Sequence, residues 1–242
     1  MLLRGSAEIA KHILSAFPSA YMVQIYSQHR PRWTHRLFVP EEADVAPLAK
    51  LLQKVLVLRV PNELDGAIAL DFYNRPAPPP STGLQYTDTA KLIRMVKYEN
   101  RQRKISEVRE AGKRLSSCMA DVVKSHDWFQ TTSLIIAAPG HTRATVSASV
   151  RIGHTIAHEC ELPQEQVLSS REWRKSAKDM TSAELAGLLD EYTVSSDLTG
   201  RCVLLVDDVF HTGSTLRGLA AAARRAGATT VLGLVAARTL SL

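Results

Sequence analysis

Two adjacent acids, Asp207 and Asp208, follow the apolar run Val203–Val206 and precede a short polar turn. The apolar run predicts a strand that is buried on both faces. In an open parallel sheet, ligands bind beyond the carboxyl ends of the strands, where these acids would stand. Carboxylates there can accept hydrogen bonds from the vicinal hydroxyl groups of a sugar such as ribose. The alternative interpretation is a plain strand–turn–helix unit in which an acid caps the helix.

The turn after the acids has the residue types of an anion site. A helix predicted to begin at Ser214 would direct unsatisfied N–H donors, and the positive end of its dipole, at the turn. Gly213 lets the backbone approach a ligand closely and tolerates a positive φ. The hydroxyl groups of Thr212, Ser214 and Thr215 add donors. The pattern therefore predicts that one element holds a sugar diol and a phosphate about one ribose apart.

The segment Val203–Thr215 resembles the phosphoribosyl-diphosphate signature of type I phosphoribosyltransferases: four apolar residues, two acids, two apolar residues and a small polar turn with Gly. The resemblance implies an α/β fold with a central parallel sheet flanked by helices. It also implies transfer of phosphoribose to a nitrogenous acceptor, with diphosphate as the leaving group. Asp207 and Asp208 would then contact the ribose and Mg²⁺. A dinucleotide-binding fold is disfavoured because no Gly-x-Gly-x-x-Gly follows a predicted strand.

His211 lies where purine-salvage members of the family place an acid beside the base. A histidine there can donate or accept a proton near neutral pH. We therefore count His211 as a catalytic candidate with Asp207 and Asp208, while its type weakens a purine-salvage assignment.

Two further loops occupy positions at which the family binds diphosphate. The first follows the predicted strand Ser133–Ala138, and its candidate residues are Pro139, Gly140, His141 and Arg143. Small residues there let backbone amides reach a diphosphate, and an Arg can neutralise it. The second, Ser169–Thr193, corresponds to a flexible loop that closes over the site and excludes water. Its candidate residues are Arg174 and Lys175. The alternatives are a Pro-Gly turn and a solvated charged loop.

Within the family, the chain is most similar to the competence-protein ComF-like group of predicted phosphoribosyltransferases. The segments Leu92–Tyr98 and Arg224–Arg238 carry this resemblance together with the signature. That group usually begins with a zinc-binding cysteine cluster. This chain has three scattered cysteines and no Cys-x-x-Cys pair, so the resemblance is to the group without its zinc-binding N-terminus.

Buried strands that alternate with helices predict βαβ units and a parallel sheet. The predicted strands are Ser133–Ala138, Cys202–Val206 and Thr229–Ala236, and the predicted helices are Thr87–Tyr98, Ile105–Lys124, Thr145–Glu159 and Ser214–Arg225. The Pro-rich segment 76–84 is expected to be extended and exposed, as a linker. We therefore predict a phosphoribosyltransferase-like domain at 85–242 and an α+β region of unknown role at 1–75.

The net charge of +6 and the pI of about 9.3 favour anionic partners: phosphates, nucleotides or nucleic acid. No apolar run is long enough to span a bilayer, so we expect a cytoplasmic protein without a membrane partner. The resemblance implies that a homodimer can form. Two other functions stay open: a non-catalytic sensor of phosphoribosyl diphosphate or a nucleotide, and a competence-like or defence-associated protein that works with DNA.

Overall fold

The structure is a computed structural model that describes most of the chain. The described residues are 2–3, 13–14, 16–25, 35–48, 56–58, 60, 63–77, 82–98, 103–142, 145–173, 175 and 180–239. The strands are β1 (Leu2–Leu3), β2 (Tyr21–Gln24), β3 (His35–Phe38), β4 (Val57–Leu58), β5 (Gly66–Phe72), β6 (Asn74–Pro76), β7 (Leu84–Tyr86), β8 (Leu134–Ala137), β9 (Gln164–Glu165), β10 (Val167–Ser169), β11 (Tyr192–Val194), β12 (Cys202–Phe210) and β13 (Thr230–Arg238). The α-helices are α1 (Asp88–Lys97), α2 (Ile105–Ser125), α3 (Ala148–Cys160), α4 (Ser182–Ala186) and α5 (Ser214–Arg225).

A six-stranded sheet in the order β4-β5-β13-β12-β8-β9 forms the centre of the molecule. Every neighbouring pair is parallel except β4 and β5, which are antiparallel. The central strands are nearly continuous runs of buried apolar residues, as expected for a sheet covered on both faces. This arrangement confirms the predicted α/β class with a central parallel sheet flanked by helices.

Helices cover the two faces of the sheet in separate layers. Ile93 of α1, Met119 of α2 and Ile152 of α3 pack on the face that includes Leu204 of β12. Leu219 and other apolar residues of α5 pack on the opposite face, which includes Val203, Leu205, Val231 and Val235. The core therefore lies in two apolar layers, one on each side of the sheet.

The sheet includes strands that precede the Pro-rich segment. β5 pairs with β13 over Gly66–Phe72, and β4 pairs with β5. The residues on either side of the segment pair as the antiparallel strands β6 and β7, with Pro76 opposite Leu84. A domain boundary at 76–84 would separate β4 and β5 from the central sheet. The pairing of β5 with β13 therefore differs from the prediction that 76–84 links two separate regions. Residues 78–81 lie outside the described residues.

The smaller sheet near the N-terminus has the order β1-β3-β2 and is antiparallel. Ile13, Leu37 and Val45 form its core, and Phe72 at the end of β5 packs against it. Phe72 also packs against the core on the α5 side of the large sheet. The two sheets therefore share an apolar contact at the carboxyl end of β5.

Most element boundaries follow the predicted ones, with two corrections. The predicted helix Thr145–Glu159 begins three residues late, at Ala148, because Ser147 caps it and accepts a hydrogen bond from the backbone N–H of Val150. The predicted strand Cys202–Val206 continues to Phe210, because β13 pairs with it along its whole length. Asp207 and Asp208 thus lie within the strand. No described helix is long and apolar enough to cross a membrane.

Candidate functional site

The connections of the sheet diverge between β8 and β12. From β8 the chain passes through α3 to β9 on one side, and from β12 it passes through α5 to β13 on the other. The helices α3 and α5 lie on opposite faces, as right-handed crossovers in opposite directions require. Such a switch point leaves a crevice beyond the carboxyl ends of the strands, where open α/β sheets bind ligands.

The two predicted acids meet partners from two different helices at this edge. Nζ of Lys97, the last residue of α1, lies 2.7 Å from Oδ2 of Asp208, whose side chain is only 7% exposed. Oγ of Ser149, in the first turn of α3, donates a hydrogen bond of 2.9 Å to Oδ1 of Asp207. The backbone N–H of Asp208 donates to the same oxygen at 2.8 Å. The acids are therefore positioned by α1, α3 and the strand itself.

Burial and charge shift the protonation of this cluster. Burial, together with repulsion from Asp208, raises the pKa of Asp207 to about 6, although Lys97 and the hydrogen bonds from Asp208 and Ser149 oppose the rise. Burial alone would lower the pKa of Lys97. The charge and hydrogen bond of Asp208 outweigh that effect and raise the pKa of Lys97 well above its ordinary value. Lys97 is thus a firmly charged ammonium, and Asp207 titrates near neutral pH.

The turn after β12 presents a helix N-terminus at the same edge. Gly213 precedes α5 with φ of +79°, a left-handed conformation, and as the N-cap residue it has no side chain to cap the helix. The Thr212 hydroxyl group accepts a hydrogen bond of 3.4 Å from the backbone N–H of Ser214. A Cβ on Gly213 would lie 2.7 Å from the ring of Phe210, so close packing also requires glycine. The Thr212 and Ser214 hydroxyl groups are 2.9 Å apart. The helix dipole and hydroxyls suit an anion here.

The remaining predicted residues of this turn differ in exposure. His211 and Thr212 are exposed, whereas Ser214 and Thr215 are half-buried in the first turn of α5. The structure thus places all four, together with Gly213, immediately after the acid-bearing strand. It brings together the acids and the polar turn that the sequence predicted as one unit.

The predicted diphosphate loop follows β8, the strand next to β12. Pro139 and Gly140 are half-buried and His141 is exposed. A Cβ on Gly140 would lie 3.3 Å from Cβ of Ser147, so the loop passes close to the start of α3. Oγ of Ser147 donates to the carbonyl of Ala138 at 3.0 Å, which fixes the other end of the loop. Arg143 lies outside the described residues.

The two predicted loops contact each other. Thr142, in the loop after β8, forms an isolated antiparallel bridge with Trp173 in the segment that follows β10. Lys175 forms an exposed ion pair of 2.8 Å with Glu184 of α4, and Arg174 lies outside the described residues. The bridge is a direct link between the loops that were predicted to enclose a diphosphate, whereas Lys175 pairs with an acid of its own segment.

Glu191 fixes the stem of this segment, where β10 and β11 pair in antiparallel fashion. The carboxylate of Glu191 is buried and accepts hydrogen bonds from the hydroxyl groups of Ser169 and Ser170. It also pairs with Nε of Arg171 at 3.4 Å. Burial raises the pKa of Glu191, but these hydrogen bonds and the charge of Arg171 outweigh burial and lower it overall. Glu191 thus joins the two ends of the segment that leaves β10 and returns at β11.

Sequence reasoning did not single out Lys97 or Ser149 as site residues. Lys97 is part of the Leu92–Tyr98 segment that carries the ComF-like resemblance, but its chemical role depends on how α1 crosses the sheet edge. Ser149 stands two positions after the cap of α3, where a hydroxyl group has many ordinary explanations. A lysine at the end of a helix only weakly indicates an ion pair with a distant acid such as Asp208. Nothing in the sequence indicates the hydrogen bond between Ser149 and Asp207.

The donor set of the site matches one metal ion only in part. Asp207 and Asp208 supply two carboxylates, and the described residues contain no group of three or more His, Cys, Asp or Glu side chains that could hold a metal. Mg²⁺ is commonly bound by one or two carboxylates together with the phosphates of a substrate and waters. The two acids therefore fit Mg²⁺ that arrives with a phosphorylated ligand.

No protein-family model matches the sequence, and a search of the curated proteins finds no match. Among solved structures, the chain is similar to a purine phosphoribosyltransferase from Pyrococcus horikoshii Ot3, with 14% identity, 53% of this chain and 81% of that chain covered, and a TM-score of 0.35. It is also similar to the B. subtilis glutamine phosphoribosylpyrophosphate amidotransferase complexed with ADP and GMP (18% identity, 60% and 30% covered, TM-score 0.42). A third is the adenine phosphoribosyltransferase of Leishmania tarentolae (14%, 63% and 88%, TM-score 0.40). At TM-scores below 0.5 these similarities carry no assignment.

Proposed function

We propose that the chain binds phosphoribosyl diphosphate and transfers its phosphoribosyl group to a nitrogenous acceptor. One observation carries the proposal: Asp207 and Asp208 lie near the carboxyl end of β12, a few residues before the N-terminus of α5, at the switch point of the sheet. The resemblance of Val203–Thr215 to the phosphoribosyl-diphosphate signature supports it. We also propose that the chain groups with the ComF-like proteins, because the segments Leu92–Tyr98 and Arg224–Arg238 resemble theirs.

Each part of the site has a role in binding. The carboxylates of Asp207 and Asp208 accept hydrogen bonds from the ribose hydroxyl groups. The backbone amides and hydroxyls of Thr212–Thr215 hold the 5′-phosphate at the start of α5. The loop Pro139–Arg143 holds the diphosphate, next to the ribose, because β8 is the neighbour of β12.

The reaction is a substitution at the anomeric carbon of the ribose. The bond from that carbon to the diphosphate oxygen breaks, and the diphosphate leaves with the electron pair. The lone pair of the acceptor nitrogen forms the new bond, and the nitrogen loses its proton to His211 or to solvent. Arg174 and Lys175 stabilise charge on the leaving group and exclude water. Mg²⁺, held by Asp207 and Asp208 with the ligand, would neutralise the diphosphate.

Calorimetry with phosphoribosyl diphosphate and Mg²⁺ tests the proposal directly. The wild type should bind, and Asp207→Asn and Asp208→Asn should each bind at least about tenfold more weakly, because each loses a charged acceptor. Asp88→Asn, an exposed acid on α1, is the matched control and should bind like the wild type. Equal heats in all four proteins would contradict the site. A mass-spectrometric screen of nitrogenous bases then identifies the acceptor.

A non-catalytic sensor is the second candidate function, and the Lys97–Asp208 ion pair favours it. An internal cation already neutralises one of the two acids, so the pocket can bind a phosphoribosyl ligand without a metal. Tight binding without turnover of any base would indicate the sensor. Salt-dependent DNA binding would instead indicate the competence-like or defence-associated function.

A further inference from the structure

Lys97 connects a helix outside the signature to the acid pair. It is the last residue of α1, and its side chain is 36% exposed, whereas the Asp208 side chain it contacts is 7% exposed. α1 follows β7 and begins directly after Thr87, whose hydroxyl group caps the helix and donates to the carbonyl of Phe72 at 2.6 Å. Contacts thus hold both ends of α1: Thr87 with Phe72 at the start, and Lys97 with Asp208 at the end.

The ion pair engages only one oxygen of Asp208. Nζ of Lys97 contacts Oδ2 at 2.7 Å, and within the described part of the chain Oδ1 has no hydrogen-bonding partner. A buried carboxylate without a counter-charge is costly, so the pair holds the Asp208 side chain in one orientation. Oδ1 is then a pre-oriented acceptor on the residue that follows Asp207.

Asp207 has a complementary arrangement. Its Oδ1 accepts two hydrogen bonds, from Ser149 and from the backbone of Asp208. Each acid of the pair therefore has one oxygen engaged by the protein. Two consecutive acids that are each held by one oxygen suit two adjacent hydroxyl groups of one ligand, which the other oxygens can accept.

We propose that Lys97 is a positioning residue that orients Asp208 to accept a hydrogen bond from the vicinal diol of a ribose phosphate. The inference rests on the proposed function and extends it to ligand selectivity. Without Lys97, Asp208 loses the contact that orients it, so ligands with a diol lose affinity. Ligands that bind through the phosphate alone keep theirs, because the phosphate site lies at α5 and is separate from Lys97.

Two ring phosphates distinguish these effects. Anhydroribitol 5-phosphate carries the diol but no anomeric hydroxyl, and tetrahydrofurfuryl phosphate lacks the diol as well. Their affinities for the full-length protein are measured by calorimetry without metal. The wild type should prefer the diol compound. Lys97→Met should bind the diol compound about tenfold more weakly, the size of a lost hydrogen bond to a charged group, and bind the other compound unchanged.

Matched variants separate positioning from charge and from folding. Lys91→Met removes the same charge from the same helix at an exposed pair with Asp88, and should leave both affinities unchanged. Lys97→Arg keeps a cation beside Asp208 and should restore most of the selectivity. If Lys97→Met does not unfold cooperatively on heating, Lys97→Ala replaces it, because it also removes the donor to Asp208 and leaves space for water beside the acid.

The outcomes are distinct for the two proposals. A selective wild type with an equally selective Lys97→Met or Lys97→Ala overturns the role of Lys97 and leaves the sugar site standing. An equal loss of both affinities shows a general charge or folding effect and also overturns it. A wild type that does not distinguish the two compounds contradicts the proposed sugar site itself, and the role of Lys97 with it.

Discussion

Oγ of Ser149 donates a hydrogen bond of 2.9 Å to Oδ1 of Asp207, although 58 positions separate the two residues. Ser149 is buried in the first turn of α3, the helix that follows β8. Asp207 lies on β12, the strand that pairs with β8. Because α3 follows the loop after β8, this bond ties the predicted diphosphate loop to the predicted sugar site. A substitution at Ser149 should therefore change the protonation of Asp207.

We expect Ser149→Ala to raise the pKa of Asp207 further above its value of about 6. The Ser149 hydrogen bond lowers the pKa of Asp207 against the effect of burial, so its removal favours the protonated acid. The ionised acceptor then becomes scarcer near neutral pH. The binding of ribose phosphates, measured calorimetrically between about pH 5 and pH 8, should lose affinity and reach its plateau at higher pH.

Thr155→Ala is the control for this experiment. Thr155 lies on the same helix, and its hydroxyl group donates to the carbonyl of Arg151 one turn earlier. Its removal should leave the pH profile of binding unchanged. A wild-type profile in Ser149→Ala would mean that the Ser149 hydroxyl does not influence the acid pair.

Asp207→Asn should change how stability depends on pH. The pKa of Asp207 is raised in the folded protein, so the folded state holds its proton more tightly than the unfolded state. Its contribution to stability is full below the unfolded pKa and is lost as the pH rises through about 6. Relative to the wild type, the Asn variant should therefore gain on the order of 2 kcal/mol in unfolding free energy between about pH 4.5 and pH 7.5.

Urea unfolding of both proteins at the two pH values measures that gain. Asp88→Asn on the exposed surface of α1 serves as the comparison for the loss of an acid as such. If the difference in unfolding free energy between wild type and Asp207→Asn is the same at both pH values, the carboxylate does not titrate in this range.

The sheet and its main helices were predictable because their patterns are local. Buried runs such as Ser133–Ala138 and Cys202–Val206 and the apolar spacing of Ile105–Lys124 depend on near neighbours in the sequence. The acids and the polar turn were likewise predictable as one unit, because they lie within a few consecutive residues of the sequence. These features hold in the structure with shifts of a few residues at the ends.

Contacts between distant segments were not predictable in the same way. Lys97 reaches Asp208, and Thr142 pairs with Trp173, only because the helices and loops cross the same edge of the sheet. The membership of β5 in the central sheet also depends on pairing with β13, far along the chain. The prolines of 76–84 suggested a linker, because proline has no backbone N–H to donate within a sheet. The sequence of the segment did not indicate that the strands on either side of it, β6 and β7, pair with each other.

Gly213→Ala should destabilise the protein and weaken phosphate binding. The residue has φ of +79°, which costs a residue with a Cβ about 1–2 kcal/mol. The new methyl group would also lie 2.7 Å from the ring of Phe210 and would displace the start of α5. Thermal unfolding and calorimetry with tetrahydrofurfuryl phosphate measure the two effects.

Gly187→Ala is a matched control for that substitution. Gly187 has φ of −63°, and a Cβ there would meet no atom within 4 Å. The control should be as stable as the wild type or slightly more stable, because alanine restricts the unfolded chain. A Gly213→Ala variant that matches the control in both measurements would show that neither the left-handed turn nor the Phe210 contact constrains the site.

Glu191→Gln should loosen the stem of the segment that follows β10. The buried carboxylate accepts hydrogen bonds from Ser169 and Ser170 and pairs with Arg171, and these contacts lower its pKa despite burial. A lowered pKa means that its contribution to stability is full above the unfolded value and is lost as the pH falls through the folded value. The variant should be less stable by about 1–3 kcal/mol at neutral pH, because charged hydrogen bonds are replaced by neutral ones.

The deficit of Glu191→Gln should shrink in acid, as the pH falls through the lowered pKa of Glu191 and the wild-type carboxylate also becomes neutral. Glu184→Gln provides the comparison, since Glu184 pairs with Lys175 at the surface, where such pairs contribute little. A glutamine there can also keep the capping hydrogen bond from the backbone N–H of Thr181. Limited proteolysis at neutral pH should cleave after Arg171 faster in Glu191→Gln than in Glu184→Gln. Equal cleavage rates and a pH-independent deficit would show that the segment is held by contacts other than the Glu191 carboxylate.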